Sequence, residues 1–225
     1  MRPRSKRYKQ DKQQLSNEPT SLAEAVEKVK SFKSIKFDQS VECVLQLGID
    51  PKKADQLVRG SVSLPHGIGK QKKVVAFCED ADVEAAKNAG AIEAGCDELI
   101  QKISDGWLDF DVAIASPKVM GKVSKLGRLL GPQGKMPSPK KGTVTEDVTT
   151  AVAEFAAGKI EFRNDAGGNV HVVVGRQSFD TQRLVENIEA FISHMKKIRP
   201  SAAKGTYIKR VYLSATMSPA VPIIV

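Results

Sequence analysis

Apolar residues recur along the first third of the chain with two different periods. Behind Ser21 they fall every three or four positions, so we expect a helix over about residues 21–32. Over residues 41–47 apolar positions alternate with others, which is typical of a strand with one buried face. An Asp-Pro pair then predicts a capped short helix over residues 50–57, and residues 60–64 predict a second strand.

The last third of the chain shows the same two periods of apolar residues. Residues 160–163 and 170–174 predict strands, and the glycine-containing segment between them predicts a hairpin turn. A long helix capped by Asp180 and ending before Pro200 is expected next, because its apolar residues share one helical face. Residues 207–216 form the longest strand candidate.

The middle of the chain differs, because strands and helices alternate there. The expected elements are a strand over 74–78, a helix over 82–89, a strand over 111–115, a helix over 117–130 and a helix over about 145–156. Alternating strands and helices are typical of a layered α/β unit.

Composition narrows the class of protein. The chain has 225 residues, of which 41% are hydrophobic, and this is enough for one or two globular domains. No run of eighteen apolar residues occurs, so no membrane association is expected. Cys43, Cys78 and Cys96 lack metal-type spacing and the three histidines lie far apart, so we expect reduced thiols and neither a metal nor a cofactor.

The balance of charge indicates an acidic partner. Lys and Arg number 35 against 26 Asp and Glu, a net charge of +9, and nucleic acid is the commonest partner of such a chain. Residues 1–66 carry 13 Lys/Arg and 8 Asp/Glu, residues 67–159 carry 13 of each, and residues 160–225 carry 9 and 5. Phosphate contacts supply much of the affinity for RNA, so the two outer parts are the better candidates for the main site.

Two basic segments stand out within this distribution. Residues 1–12 hold six Lys/Arg without an apolar period, and we interpret them as a solvated or RNA-contacting arm. Residues 112–145 hold seven Lys/Arg and no acid. Gly134-Lys135 in that segment resembles part of a phosphate-binding loop, but Leu129 and Met136 stand where that motif needs a glycine and a Ser or Thr, so nucleotide binding is disfavoured.

Several runs of residues match a known family. They are Lys36-Phe-Asp-Gln-Ser-Val-Glu42, Leu47-Gly-Ile-Asp-Pro-Lys-Lys-Ala-Asp55, Val58-Arg-Gly-Ser-Val-Ser-Leu-Pro-His-Gly67, Leu126-Gly-Arg-Leu-Leu-Gly-Pro-Gln-Gly-Lys-Met-Pro137 and Lys204-Gly-Thr-Tyr207. Together they resemble the bacterial form of large ribosomal subunit protein one, over about residues 5–222. The run from Leu126 to Pro137 is similar to the signature of that family.

The resemblance implies an α/β and α+β protein of two domains. An α+β sandwich would be built from both chain ends, residues 1–66 and 160–225, and would bind RNA. A Rossmann-like three-layer α/β domain, residues 67–159, would be inserted between them. The implied partners are the stalk region of 23S rRNA, the chain's own mRNA, exit-site tRNA and other ribosomal components, with the protein monomeric when free and cytoplasmic on the ribosome.

The resemblance also implies a function and a set of contact residues. The protein would assist release of deacylated tRNA from the exit site and repress translation of its own messenger, without enzymatic activity. The implied RNA-binding residues are Lys36, Phe37, Ser40, Glu42, Arg163, Asp165, His171, Thr216, Met217 and Ser218. Lys135, Lys140 and Lys141 are candidates for a secondary RNA contact. Ser218 stands where the family usually has Gly, and Pro222 stands where an Arg is common.

Two other functions compete with this hypothesis. One is an α/β nucleotide- or Mg²⁺-dependent phosphotransfer enzyme using Asp80, Asp82 and Lys135, because acids at the end of a strand can hold Mg²⁺ in α/β enzymes. These acids also suit a helix N-terminus, which we favour. The other is a basic RNA-binding protein without a specific target.

Overall fold

The computed structural model describes residues 5–15, 18–32 and 35–224, which divide into two compact units. The first unit contains the described residues up to Gly69 together with those from Phe162 onward, and the second unit is Lys70–Glu161. Both units combine helices with sheets, so the predicted α/β and α+β fold class is confirmed. That the first unit is the one that binds RNA stays a prediction.

The first unit takes its elements from both ends of the chain, and the second unit takes its elements from the middle. The helices are α1 (Lys6–Gln13), α2 (Leu22–Ser31), α3 (Val83–Asn88), α4 (Asp97–Ser104), α5 (Met120–Val123), α6 (Gly127–Leu130), α7 (Val148–Ala157) and α8 (Thr181–Lys197). The strands are β1 (Ser40–Leu47), β2 (Arg59–Val62), β3 (Val74–Phe77), β4 (Glu93–Gly95), β5 (Val112–Ala115), β6 (Ile160–Arg163), β7 (Asn169–Arg176), β8 (Ile208–Ala215) and β9 (Val221–Ile223). Among the described residues no helix is long and apolar enough to cross a membrane.

The first unit is built on a four-stranded antiparallel sheet in the order β7-β1-β8-β9. Its alternation follows from β1, where Val41, Cys43, Leu45 and Leu47 are buried and the residues between them are half-buried. Helices α2 and α8 pack on this sheet, and both bury one apolar stripe. The other face of the sheet carries half-buried side chains of β1, namely Ser40, Glu42, Val44 and Gln46, together with the residues opposite them on the neighbouring strands. We call it the open face.

The second unit is a parallel sheet in the order β4-β3-β5, with a separate apolar core on each face. Val74, Ala76 and Cys78 pack with α3 and α7 on one face. Val75 and Phe77 pack with α4 and the segment 119–130 on the other. Both faces of β3 are therefore buried, as expected for a strand between two helical layers.

Three local expectations were wrong. Residues 51–56 form turns instead of a helix. The segment 117–130 is not one helix, because short 3₁₀ turns separate α5 from α6. A tight turn does join the two strands after residue 160, since the Asp165 N–H donates to the Asn169 carbonyl, but β6 pairs with β2 whereas β7 pairs with β1. The described part of the N-terminal arm is helical, with the Ser5 hydroxyl capping α1.

Candidate nucleic-acid interface

At one end of the open face, the first residue of β1 is hydrogen-bonded to the residue that follows β8. The Ser40 N–H donates to the Thr216 hydroxyl at 3.1 Å, and the Thr216 N–H donates to the Ser40 carbonyl at 3.1 Å. The structure therefore brings together two predicted contact residues that are 176 positions apart in the chain. The Ser40 hydroxyl makes no hydrogen bond to another of the described residues and remains available.

Two exposed apolar side chains flank this junction. Phe37 is 50% exposed and Met217 is 52% exposed, so both present apolar surface to solvent. The loop that carries Phe37 is held by Asp38, whose carboxylate accepts from the Ser178 N–H at 3.1 Å and from the Ser178 hydroxyl at 2.8 Å. Phe37 is therefore held on the surface instead of contributing to the core, beside an exposed Lys36.

A second group of predicted residues lies along the open face. Glu42 follows Ser40 on the same side of β1 and approaches His171 of β7, with 3.2 Å between Oε1 and Nδ1. The other imidazole nitrogen of His171 lies 3.8 Å from the Asp165 carboxylate. Since successive same-face residues of a strand are about 7 Å apart, this group and the Ser40 junction form one continuous surface.

Asp165 and Arg163 have different surroundings, because Asp165 lies beside His171 whereas Arg163 belongs to β6 of the separate β2-β6 sheet. The Asp165 carboxylate accepts from the Gly167 N–H at 2.8 Å and from the Asn169 N–H at 2.7 Å. Hydrogen bonds from Asn169, followed by those from Gly167, lower the pKa of Asp165 because they stabilise its ionised form. Asp165 thus closes the turn, whereas Arg163 is exposed at the end of β6 and forms no ion pair within the described part of the chain.

Sequence analysis missed the remaining residues of the open face. In the register of β1 and β8, Glu42 faces Ser214, Val44 faces Tyr212 and Gln46 faces Arg210. Directly opposed residues of neighbouring strands project on the same side of a sheet. The pattern 207–216 indicated a strand but could not indicate which strand it pairs with.

The secondary candidate cations are mostly occupied within the second unit. The Lys135 ammonium donates to the Leu108 carbonyl at 2.9 Å and lies 5.1 Å from the centre of the Phe110 ring. The Lys141 ammonium donates to the Gly134 carbonyl at 2.9 Å and pairs with Glu161 at 2.6 Å. Lys140 is exposed, so the structure offers one of the three as an unengaged charge.

The residues of the competing enzyme hypothesis do not converge. A cavity of about 620 Å³ lies at the carboxyl ends of β3 and β4, where Asp80 contributes to its lining but Asp82 and Lys135 do not. Three of its acids are paired with lysines, with 3.0 Å between Glu79 and Lys118, 2.8 Å between Asp97 and Lys122 and 2.8 Å between Glu93 and Lys102. Among residues 5–15, 18–32 and 35–224, no group of three or more His, Cys, Asp or Glu side chains could hold a metal ion.

The cysteines are free thiols in the structure. Cys43 and Cys78 are buried, and Cys96 is half-buried. Burial, with a smaller contribution from the neighbouring Glu42, raises the pKa of Cys43 to about 12, so that this thiol stays protonated at neutral pH.

Comparison with known proteins agrees with the motifs. Residues 29–219 match the model of the ribosomal protein L1p/L10e family. The large ribosomal subunit protein uL1 of Thermobifida fusca is 48% identical over 223 residues, covering 98% of this chain and 94% of the relative. The proteins of the same name from Chlorobium chlorochromatii (52% identical, 90% of this chain and 88% of the relative) and Kosmotoga olearia (48%, 98% and 96%) are similarly close. The chain therefore belongs to the ribosomal protein L1p/L10e family and is a structural, non-enzymatic protein.

Proposed function

We propose that the first unit binds the stalk region of 23S rRNA through the open face and the loops at its edge. Family membership makes the chain a constituent of the large ribosomal subunit that works in the cytoplasm, on the ribosome. The observation that carries the proposal is the Ser40–Thr216 junction between two exposed apolar side chains, Phe37 and Met217. Such groups, held outward by a hydrogen-bonded frame, have no role in the core of the unit.

The chemistry of these groups suits RNA. The Ser40 hydroxyl can hydrogen-bond a ribose 2′-OH, the group that distinguishes RNA from DNA. Lys36 and Arg163 are exposed cations and suit phosphates. Phe37 and Met217 can pack on sugars and unstacked bases, and the Glu42–His171 pair can accept from a base amine.

Two further functions are inferred from the resemblance. The same surface would bind a segment of the chain's own mRNA that mimics the rRNA site, so that excess free protein, as a monomer, would repress its own translation. On the ribosome the protein would contact exit-site tRNA and assist its release. Since one surface cannot hold both RNAs at once, rRNA and the messenger should compete for it.

A matched pair of substitutions tests the proposed surface. Phe37→Ser removes the exposed ring, and Ile92→Ser removes a side chain of similar exposure (49%) in the second unit. We expect Phe37→Ser to weaken binding of a stalk RNA fragment about tenfold, the loss typical of one aromatic contact with a base. Ile92→Ser should leave that affinity unchanged. Equal affinities for the two variants, measured by filter binding at fixed salt, would move the site away from the open face.

The alternative of RNA binding without a specific target predicts a different result. In that case both substitutions would be neutral and removal of exposed lysines would lower affinity in proportion to their number. The same binding series with unrelated RNA of equal length separates the two cases.

A further inference from the structure

The main chain of Met217 is held from two sides. Its N–H donates to the side-chain carbonyl of Gln39 at 3.0 Å, and its carbonyl accepts from the Arg7 guanidinium at 2.6 Å. The side chain of Met217 remains 52% exposed. A loop residue with an unburied side chain but a fully engaged main chain has a fixed position without contributing to the core.

Gln39 is an unusual residue to find in the centre of this arrangement. It is 0% exposed, although burial of an amide is costly unless all its polar atoms are paired. Its side-chain amide nitrogen donates to the side-chain oxygen of Gln177 at 2.9 Å. The main chains of the two residues are also joined, because the Gln177 main-chain N–H donates to the Gln39 main-chain carbonyl at 2.8 Å. Gln177 in turn donates to the Lys30 carbonyl at 3.4 Å, at the end of α2. Gln39 therefore links the Met217 loop to the helical layer.

Arg7 approaches the loop from the opposite side. It extends from α1, and its guanidinium also pairs with the buried Asp11 at 3.1 Å. This pairing one turn along the helix fixes the guanidinium before it reaches the Met217 carbonyl. The contact connects residues 210 positions apart, so α1 is held against the candidate interface.

We propose that Gln39 and Arg7 are positioning residues for RNA binding that act through Met217. Neither side chain needs to touch RNA: Gln39 is buried, and the Arg7 guanidinium is engaged by Asp11 and Met217. Their effect is to order the Met217 loop before the RNA arrives, so that binding does not incur the entropy of fixing it. This inference rests on the proposed function, because it requires that Met217 contact RNA.

A double-mutant cycle on the full-length chain tests the role of Gln39. Gln39→Met keeps the length and volume of the side chain but removes both hydrogen bonds, and Met217→Ala removes the group being positioned. We expect Gln39→Met alone to weaken stalk RNA binding about threefold to fivefold, up to the whole contribution of the Met217 side chain, because the released loop must then be ordered on binding. In a Met217→Ala background it should change affinity less than twofold, since there is no side chain left to position.

Two further variants separate positioning from general damage. Ile188→Val removes a methylene from the buried face of α8 and should lower the melting temperature without changing RNA affinity. Arg7→Met should behave as Gln39→Met does, and its loss should likewise disappear in the Met217→Ala background.

The outcomes test the proposed RNA surface and the positioning role of Gln39 separately. If Met217→Ala itself leaves stalk affinity unchanged, the proposed RNA surface is wrong. If Met217→Ala weakens binding but Gln39→Met does not, or if the losses add fully in the double variant, the positioning role is refuted while the surface stands.

Discussion

Substitution of Met217 by Asp should weaken stalk RNA binding far more than substitution of Lys135 by Ala. Met217 is 52% exposed, and complete burial of a methionine contributes about 1.5–3 kcal/mol. Covering its exposed half therefore contributes about 1 kcal/mol, and Met217→Ala should lose about fivefold in affinity. An aspartate adds repulsion of about 1 kcal/mol for each phosphate within some 4 Å, which brings the loss to roughly thirtyfold.

Lys135 is the informative comparison, because charge alone would rank it higher. Its ammonium donates to the Leu108 carbonyl and lies over the Phe110 ring, so its charge is already used inside the second unit. Lys135→Ala should therefore cost about 1 kcal/mol of folding free energy and change RNA affinity less than twofold. Filter binding of a stalk fragment at fixed salt measures the affinities, and thermal melting measures the stabilities. A larger loss of affinity for Lys135→Ala than for Met217→Asp would refute the assignment of the site.

Three further predictions follow from the packing, the turn and the two units. Gly175→Ala should destabilise the fold by about 1–3 kcal/mol, because the new Cβ would lie 2.7 Å from a side chain of α8, whereas Gly121→Ala has nothing within 4 Å and should be neutral or stabilising in thermal melts. Because the pKa of Asp165 is lowered from 3.8, its stabilising effect should be complete above that pH and lost as pH falls through the lower folded value. Acid titration should show this loss in wild type and not in Asp165→Asn; the same acid profile in both would contradict it. Residues 1–66 joined to residues 160–225 should bind stalk RNA nearly as well as the full chain, and a loss of about 3 kcal/mol or more in a folded fusion would place the site elsewhere.

The strands were predictable where burial alternates. The pattern of β1 is visible in the sequence because Val41, Cys43, Leu45 and Leu47 all face one core. Partners were not predictable, because pairing joins residues far apart in the chain and a turn alone does not decide it. The glycine turn that Asp165 closes was identified, but the strands on either side of it enter different sheets.

Helix α1 shows a second limit of sequence patterns. The residue that α1 buries is polar, since Asp11 is only 4% exposed and is paired with Arg7, so no apolar period marks this helix. Helices stabilised by tertiary polar contacts are invisible to hydrophobic periodicity. In the segment 117–130 the opposite error occurred, because the apolar spacing was helical but the backbone alternates between α and 3₁₀ turns.

The candidate site depended on the resemblance more than on physical patterns. A phenylalanine at position 37 would more often belong to a core, and only the exposure of its ring and the anchoring of Asp38 show that it does not. Gln39 gave no signal at all, because burial of an amide is decided by partners such as Gln177 that lie elsewhere in the chain. Residues 112–145 hold seven Lys/Arg and no acid, yet Lys118, Lys122 and Lys141 of that segment pair with acids of their own unit.

Competition binding across a salt series tests the central claim most directly. Stalk RNA and an unrelated RNA of equal length would compete for the full-length chain from low to high salt. Phosphate contacts weaken steeply with salt, by a slope of about −0.9 per contact on a duplex, whereas contacts through Phe37, Ser40 and Met217 do not. We therefore expect the preference for stalk RNA to persist as overall affinity falls. Equal affinity for both RNAs at every salt concentration would contradict specific recognition by the open face.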